Sequence, residues 1–395
     1  MKIIGIIAEY NPFHNGHMYH IEESRKSVSE DTAVVCVMSG DFVQRGEAAI
    51  FSKYARAEAA VMCGADLVLE LPLPWAISSA EKFSEGAVGL LDALGCIDYI
   101  SFGSECGDLE ILSKISSSLL NPSVHASIAD ELKTGISYAS ARQNAAAKQI
   151  GELAKYLSTP NNILAVEYLK ALQNLASGIK PITVRRFGAG HDEEGGSASS
   201  IRGMIAAGKS ISAYVPHRAM EVYARETEQG RGPVTMSSLE CAILSRLRML
   251  KESDFASLPD YAEGLSNRIY SAARTETSLE SIYSSVKTKR YALSRIRRMC
   301  ISAALGIKAG DTDGIPPFAR ILALNEKGRN VAKIISEKSS IPVIAKPAAV
   351  RRQPCECQRI FELGSAAHDL YVLGYRSLSE HRGDADWRES PRIIK

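Results

Sequence analysis

The stretch KIIGIIAEYNPFHNGHMYHIEESRK, Lys2 to Lys26, decides the fold. Lys2–Ala8 is a short unbroken apolar run, the pattern of a strand covered on both faces. A turn of Asn, Pro, His and Gly follows, then a helical pattern over His17–Ser27. Three of the chain's eight histidines, His14, His17 and His20, stand where strand gives way to helix. In open α/β sheets, ligands bind at this junction. A helix N-terminus there offers free N–H groups and a partial positive charge, which suit a phosphate. The H-x-G-H spacing puts His17 in the first helical turn and His14 just before it, and Gly16 leaves room for a ligand to approach the backbone. Both imidazoles can then donate to one phosphate chain. Zinc sites of the H-E-x-x-H type place two histidines four apart with a Glu between; here they lie three apart across a glycine, so no metal is assigned. His20, one turn further, reads as a packing or solvated residue as readily as a ligand.

Outward from this turn, strand and helix alternate. Thr32–Met38, Asp66–Leu71, Asp98–Gly103 and Pro181–Arg186 read as further strands. Ser52–Cys63, Ser78–Leu94, about 109–156, and the run after Pro160 read as helices. That order argues for an α/β fold: a Rossmann-like parallel sheet with helices on both faces. Gly188–Ser200 reads as a polar loop before a short helix at Ile201–Ala207. Beyond about Gly232 the strands give out and amphipathic helices dominate, with one strand at "IPVIA" and a poorly structured last twenty residues. The expected division is 1–230, a nucleotide-binding α/β domain, and 231–395, a mostly helical domain.

The 395 residues are 45% hydrophobic and 23% charged, with net charge +2, so any nucleic-acid surface must be local. No apolar run reaches the ~18 residues of a membrane helix, and the N-terminus reads as a strand rather than a signal peptide. The eight cysteines are scattered, several in apolar segments, as expected of reduced thiols in a cytoplasmic protein. The lone C-x-C of Cys355 and Cys357 has no second pair to complete a zinc site.

No Walker loop G-x-x-x-x-G-K-[ST] and no G-x-G-x-x-G after the first strand is present, which removes the common glycine-rich phosphate sites. H-x-G-H at this place resembles the nucleotidyltransferase superfamily shared with class I aminoacyl-tRNA synthetases. Its second signature is matched by Ser197-Ala198-Ser199-Ser200-Ile201-Arg202, with Ala198 replacing one expected Ser. Together "IIAEYNPFHNGHMYHI", "VMSGDFVQRGE", "ADLVLELP", "SFGSE", "PNNILAVEYLKAL" and "SASSIR" are similar to the tRNA(Met) cytidine acetate ligase family. The resemblance implies activation of acetate by ATP to acetyl-adenylate, then acetylation of the wobble cytidine of elongator tRNA(Met), giving N4-acetylcytidine, AMP and pyrophosphate. It implies no covalent enzyme intermediate, and Mg²⁺ arriving with the nucleotide.

By the same resemblance the ATP site comprises Ile7, Ala8, Glu9, Tyr10, Asn11, Pro12, Phe13, His14, Asn15, Gly16, His17, Met18, Tyr19 and His20, with Gly103, Asn161 and Arg186. Asn162 and Arg185 are the alternatives to the last two. Catalytic roles fall to His14 and His17; Ser199, Ser200 and Arg202 are expected on the β- and γ-phosphates. Gln44 and Arg45 are candidates for the acetate or tRNA side. The basic cluster Lys287, Arg290, Arg295, Arg297 and Arg298 is the expected tRNA contact, read otherwise as a solvated helix face. "AKPAAVRRQ" is a weaker second basic stretch. The rival readings are a nucleotidyltransferase acting on a small metabolite and a non-catalytic RNA-binding protein with a nucleotide fold.

Overall fold

Strand β1 (Lys2–Ala8) lies in the middle of the sheet, with β2 (Thr32–Ser39) on one side and β6 (Tyr99–Ser104) on the other, both parallel to it. The computed structural model describes residues 1–29, 31–186, 196–262 and 264–395. The first part of the chain runs β1, α1 (Asn15–Val28), β2, a hairpin of β3 (Phe42–Val43) and β4 (Glu47–Ala48), α2 (Lys53–Met62), β5 (Leu67–Leu71), α3 (Leu73–Ala76), α4 (Ala80–Ala93) and β6. Then come α5 (Leu109–Leu119), α6 (Pro122–Lys133), α7 (Tyr138–Ile150), α8 (Pro160–Asn174), β7 (Lys180–Arg185) and α9 (Ala198–Ala206). Helices α10 (His217–Glu228), α11 (Glu240–Met249), α12 (Glu252–Phe255), α13 (Leu265–Thr275), α14 (Leu279–Val286) and α15 (Leu293–Leu305) follow. The chain ends with β8 (Ala319–Leu324), α16 (Glu326–Lys338), β9 (Val343–Ile344), α17 (Cys355–Val372), α18 (Ala385–Arg388) and β10 (Arg392–Ile393).

The sheet order is β10-β8-β5-β2-β1-β6-β7, with β9 also on β8. The chain builds outward from β1 through β2 to β5, then crosses back to β6 and β7. The reversal lies between β1 and β6, the topological position at whose carboxyl ends open α/β sheets bind ligands. Alternate residues along a strand face opposite layers. Ala33, Val35 and Val37 of β2 join the core that includes α4 and α8, while Val34, Cys36 and Met38 join the core that includes α2.

Four expectations need correction. Strands do not end near Gly232: β8 pairs antiparallel with β5 and carries β9 and β10 on its other edge. Its sequence, "ARILAL", is equally at home in a helix; its pairing with β5 makes it a strand. Residues 109–156 are not one helical run but α5, α6 and α7 with a 3₁₀ segment, broken at Asn121-Pro122, Gly135 and Gly151. The short helix expected at Ile201–Ala207 begins at Ala198, because Ser197 caps it by accepting Ser200 N–H. The tail is ordered by a buried charge: Asp386, fully buried, accepts from Lys53 Nζ at 2.6 Å, Arg320 Nη1 at 2.8 Å and Tyr54 Oη at 2.7 Å. Of the polar loop expected at Gly188–Ser200, residues 188–195 lie outside the described residues.

Candidate active site

His14 and His17 fix each other through the helix start. His14 is the N-cap of α1, and its Nδ1 accepts the Gly16 amide at 3.1 Å. His17 Nδ1 accepts the His14 amide at 3.2 Å. The rings stack with centroids 3.7 Å apart and planes 28° from parallel. Burial, and then the charge of Arg186, push His14 down to about 4; burial, His14 and Arg186 push His17 well below the ordinary value. Both rings are therefore neutral at pH 7. A neutral imidazole whose Nδ1 accepts a hydrogen bond carries its proton on Nε2. The helix cap thus sets the tautomer and leaves two Nε2–H donors side by side.

A Cβ on Gly16 would lie 3.0 Å from His14 Cε1, so this glycine makes room for the His14 ring. His20 turns toward the sheet, its Nε2 2.9 Å from Ser101 Oγ on β6, and burial holds it down to about 4. It braces α1 against β6.

The turn is clasped by distant residues. Tyr10 adopts a left-handed backbone (φ 47°), which for a non-glycine costs about 1–3 kcal/mol. Its hydroxyl lies 3.2 Å from Cys36 Sγ, and its ring meets His17 edge-on at 4.9 Å. Asn11 Oδ1 accepts Ile50 N–H at 2.8 Å, and Tyr223 Oη accepts Phe13 N–H at 2.9 Å. The Asn11–Pro12 peptide is cis. Asn15 donates from its backbone to Tyr214 O and from its side chain to Ala213 O. Arg56, fully buried, gathers the carbonyls of Glu9, Ser39 and Gly40 at the ends of β1 and β2. Tyr10, Asn11, Pro12 and Phe13 are consequently buried and shape the turn, while Ile7, Ala8, Glu9, Met18 and Tyr19 are half-buried around it.

Just past β7, Arg186 Nη1 donates to Asn161 Oδ1 at 3.0 Å. A Cβ on Gly103 would lie 3.2 Å from Arg186 Cγ, so this glycine makes room for the arginine stem. Arg185 packs instead against Gly107, as strand alternation requires. Asn162 is buried, and its Oδ1 accepts the amides of Glu105 and Cys106. Asn161 is the neighbour placed toward Arg186. Its Nδ2 donates to Glu105 Oε1 at 2.7 Å, while Glu105 Oε2 accepts the Asn162 amide at 2.8 Å. Burial alone would raise the Glu105 carboxyl; the bonds from Asn161 and Asn162 outweigh it and hold it low. On α9, Ser199 is exposed and Ser200 half-buried; Arg202 Nη1 donates to Asn11 O at 2.9 Å.

The HIGH Nucleotidyl Transferase family model matches residues 1–386. A tRNA(Met) cytidine acetate ligase of Acetivibrio thermocellus is 40% identical over 417 residues, covering 100% of both chains. One from Caldanaerobacter subterraneus subsp. tengcongensis is 42% identical over 393 residues, covering 96% of this chain and 97% of its own. The chain belongs to the tRNA(Met) cytidine acetate ligase family. A crystal structure of Thermotoga maritima TmcAL bound with alpha-thio ATP is 31% identical, covers 100% of both chains and superposes with a TM-score of 0.93.

In this member of the ligase family the basic cluster divides. Lys287 and Arg290 are exposed, Arg290 lying 5.8 Å from the centre of the Tyr291 ring. Arg295 donates to Asp260 O at 2.7 Å, and Arg298 to Asp260 Oδ2 at 2.8 Å. Arg297 pairs with Glu47. Arg56, Tyr223, Glu105 and Glu47 contact the turn, Asn161 or Arg202 and were not expected from the sequence. Only Glu105 and Glu47 had a signal, since both fall inside the quoted motifs "SFGSE" and "VMSGDFVQRGE". Among the described residues, no helix is long and apolar enough to cross a membrane.

The lowered histidines predict an acid-sensitive fold. Below the ordinary His value of 6.5 the unfolded chain protonates at His14 and His20 while the folded chain does not until about 4. The unfolded state then binds more protons, so stability falls as pH drops from about 6.5 toward 4. His368 works in the opposite sense. Burial lowers it, but Asp41 outweighs that and raises it, so its contribution is full below 6.5 and lost above. Urea midpoints from pH 7 to 4.5 are expected to fall, and to fall less in His14→Asn.

Proposed function

We propose that this chain is an ATP-dependent ligase that activates acetate and acetylates the wobble cytidine of elongator tRNA(Met). The observation that carries the reading is the pair of neutral imidazoles at the start of α1, each with Nδ1 spent on a backbone amide and, among the described residues, no hydrogen-bond partner on Nε2–H. In the first step an acetate oxygen attacks the α-phosphate of ATP and pyrophosphate departs. Negative charge grows on the pentavalent phosphate and the leaving group. Fixed N–H donors stabilise it with little reorganisation, a contribution of about 3–4 kcal/mol per donor at such sites. In the second step the cytidine N4 amine attacks the acetyl carbonyl, loses a proton and expels AMP.

Asn161 and Arg186 are assigned to the nucleotide, with Gly103 acting through the Arg186 stem. Ser199, Ser200 and Arg202 are assigned to the outer phosphates. Glu9 already gives Oε1 to the Gln44 amide at 2.9 Å, so Mg²⁺ is kept with the nucleotide's phosphates rather than given a protein ligand. Arg45, exposed at the hairpin tip, is assigned to the acetate or tRNA side. The cytoplasm is the expected compartment for a tRNA-modifying enzyme.

Two experiments test parts of this reading. Acetate-dependent exchange of labelled pyrophosphate into ATP reports the first step; exchange that proceeds equally without acetate would sink the proposed acceptor. Lys287 and Arg290 are assigned to the RNA backbone. Replacing both by Ala should raise KM for tRNA and lower the slope of log affinity against log salt by about 1–2. An unchanged slope would remove them from the interface.

A further inference from the structure

We propose that Arg297 serves the nucleotide site: through Glu47 it positions Arg202 beside the phosphate-handling turn. The inference rests on the ATP reading above, and it takes Arg297 out of the RNA-binding cluster to which its sequence neighbours assign it.

The geometry is a relay of three side chains from separate parts of the chain. Gly46, at the tip of the β3–β4 hairpin, has φ 71°, and a Cβ there would lie 2.5 Å from Arg298 N and 2.7 Å from Arg297 C. The hairpin therefore rests directly on the backbone of α15. The next residue, Glu47, divides its carboxylate. Oε1 binds Arg297 Nη1, and Oε2 stands 4.0 Å from Arg202 Nη2. Arg202 in turn donates Nη1 to Asn11 O at 2.9 Å, within the turn that carries His14 and His17. The three side chains are each about a quarter exposed.

Arg297 has little left for RNA. Besides Glu47, it lies 4.0 Å from Glu280 and 5.5 Å from the centre of the Tyr283 ring. Its effect on Arg202 follows from elementary electrostatics. A carboxylate facing a lone guanidinium closes to a bidentate pair, which spends the donors of both. Arg297 occupies Oε1 and so keeps Glu47 near enough to orient Arg202 but too far to bind it fully. Arg202 then retains its charge and free N–H groups for an incoming polyphosphate. Without Arg297, Glu47 is free to close on Arg202 and compete with the phosphates.

Arg297 is thus a positioning residue, and epistasis distinguishes this role from a merely structural one. The readout is the Kd of a non-hydrolysable ATP analogue, measured by calorimetry on the full-length chain without tRNA, beside Tm. Arg297→Ala is expected to weaken binding about tenfold, which is about 1.4 kcal/mol. Adding Glu47→Gln in the same chain should restore most of the affinity by releasing Arg202, without restoring Tm. Arg297→Lys, which keeps a cation on Glu47, should bind close to wild type. An Arg297→Ala chain with unchanged analogue affinity would overturn the proposal, as would a double variant no better than the single one. A wild-type chain that failed to bind the analogue would instead remove the ATP reading on which the inference rests.

Discussion

His17→Ala is expected to lower the rate of acetate-dependent ATP–pyrophosphate exchange by about 10²–10³-fold, mostly in kcat. His17 holds its Nε2 proton because Nδ1 is taken by His14 N–H, so alanine removes a preset donor rather than a titrating base. The donor's value lies in the transition state, where charge moves onto the departing pyrophosphate; KM for ATP should change far less. His17→Gln, which keeps an N–H and can still accept from the helix cap, should recover part of the loss. Because burial and neighbouring positive charge keep His17 neutral, the rate should show no inflection from this residue near the ordinary value of 6.5. A His17→Ala chain with wild-type exchange would refute the phosphate role.

The second large effect is on stability. Asp386→Ala removes a fully buried carboxylate that faces two cations, Lys53 and Arg320. Glu70 also pairs with both, at 2.8 and 3.2 Å, but cannot neutralise the pair alone. Burial would raise the Asp386 carboxyl; Lys53 and Arg320 outweigh it and hold it far below the usual carboxylate range. Leaving a buried cation uncompensated costs about 3–5 kcal/mol, or a fall in Tm of roughly 4–6 °C for a chain of this length. The loss should reach the active site. The Lys53 amide donates to Asp41 Oδ1 at 2.8 Å, and Asp41 opens the hairpin that carries Glu47. A Tm within a degree of wild type would show that the tail does not anchor the sheet edge.

The sequence was most legible where one local pattern had one reading. β1, β2 and β5 to β7 are short apolar runs bounded by glycine, proline or acidic residues, and the helix after the H-x-G-H turn starts where its cap residues stand. The paired histidines were visible because their spacing sets their geometry. β8 was missed because Ala, Leu and Ile serve helix and strand alike, and only its long-range pairing with β5 decides. The tail was read as loose because Asp386 is a single acid in a polar segment, and its partners Lys53 and Arg320 lie 333 and 66 residues away in sequence. The basic run of α15 looked uniform. Periodicity cannot reveal that Glu47, 250 residues from Arg297, stands opposite it, or that Asp260 claims Arg295 and Arg298. The choice between Asn161 and Asn162 was equally closed to sequence, since both sit in the first turn of α8 and only burial separates them.

The most direct measurement of the central claim is the full reaction. The chain is incubated with ATP, labelled acetate and unmodified elongator tRNA(Met), and the digested nucleosides and free nucleotides are separated. The account predicts label in N4-acetylcytidine at the wobble position, with one AMP formed per acetyl group. A folded, ATP-binding chain that forms no acetylcytidine, or that transfers a nucleotidyl group to a small molecule without RNA, would contradict it.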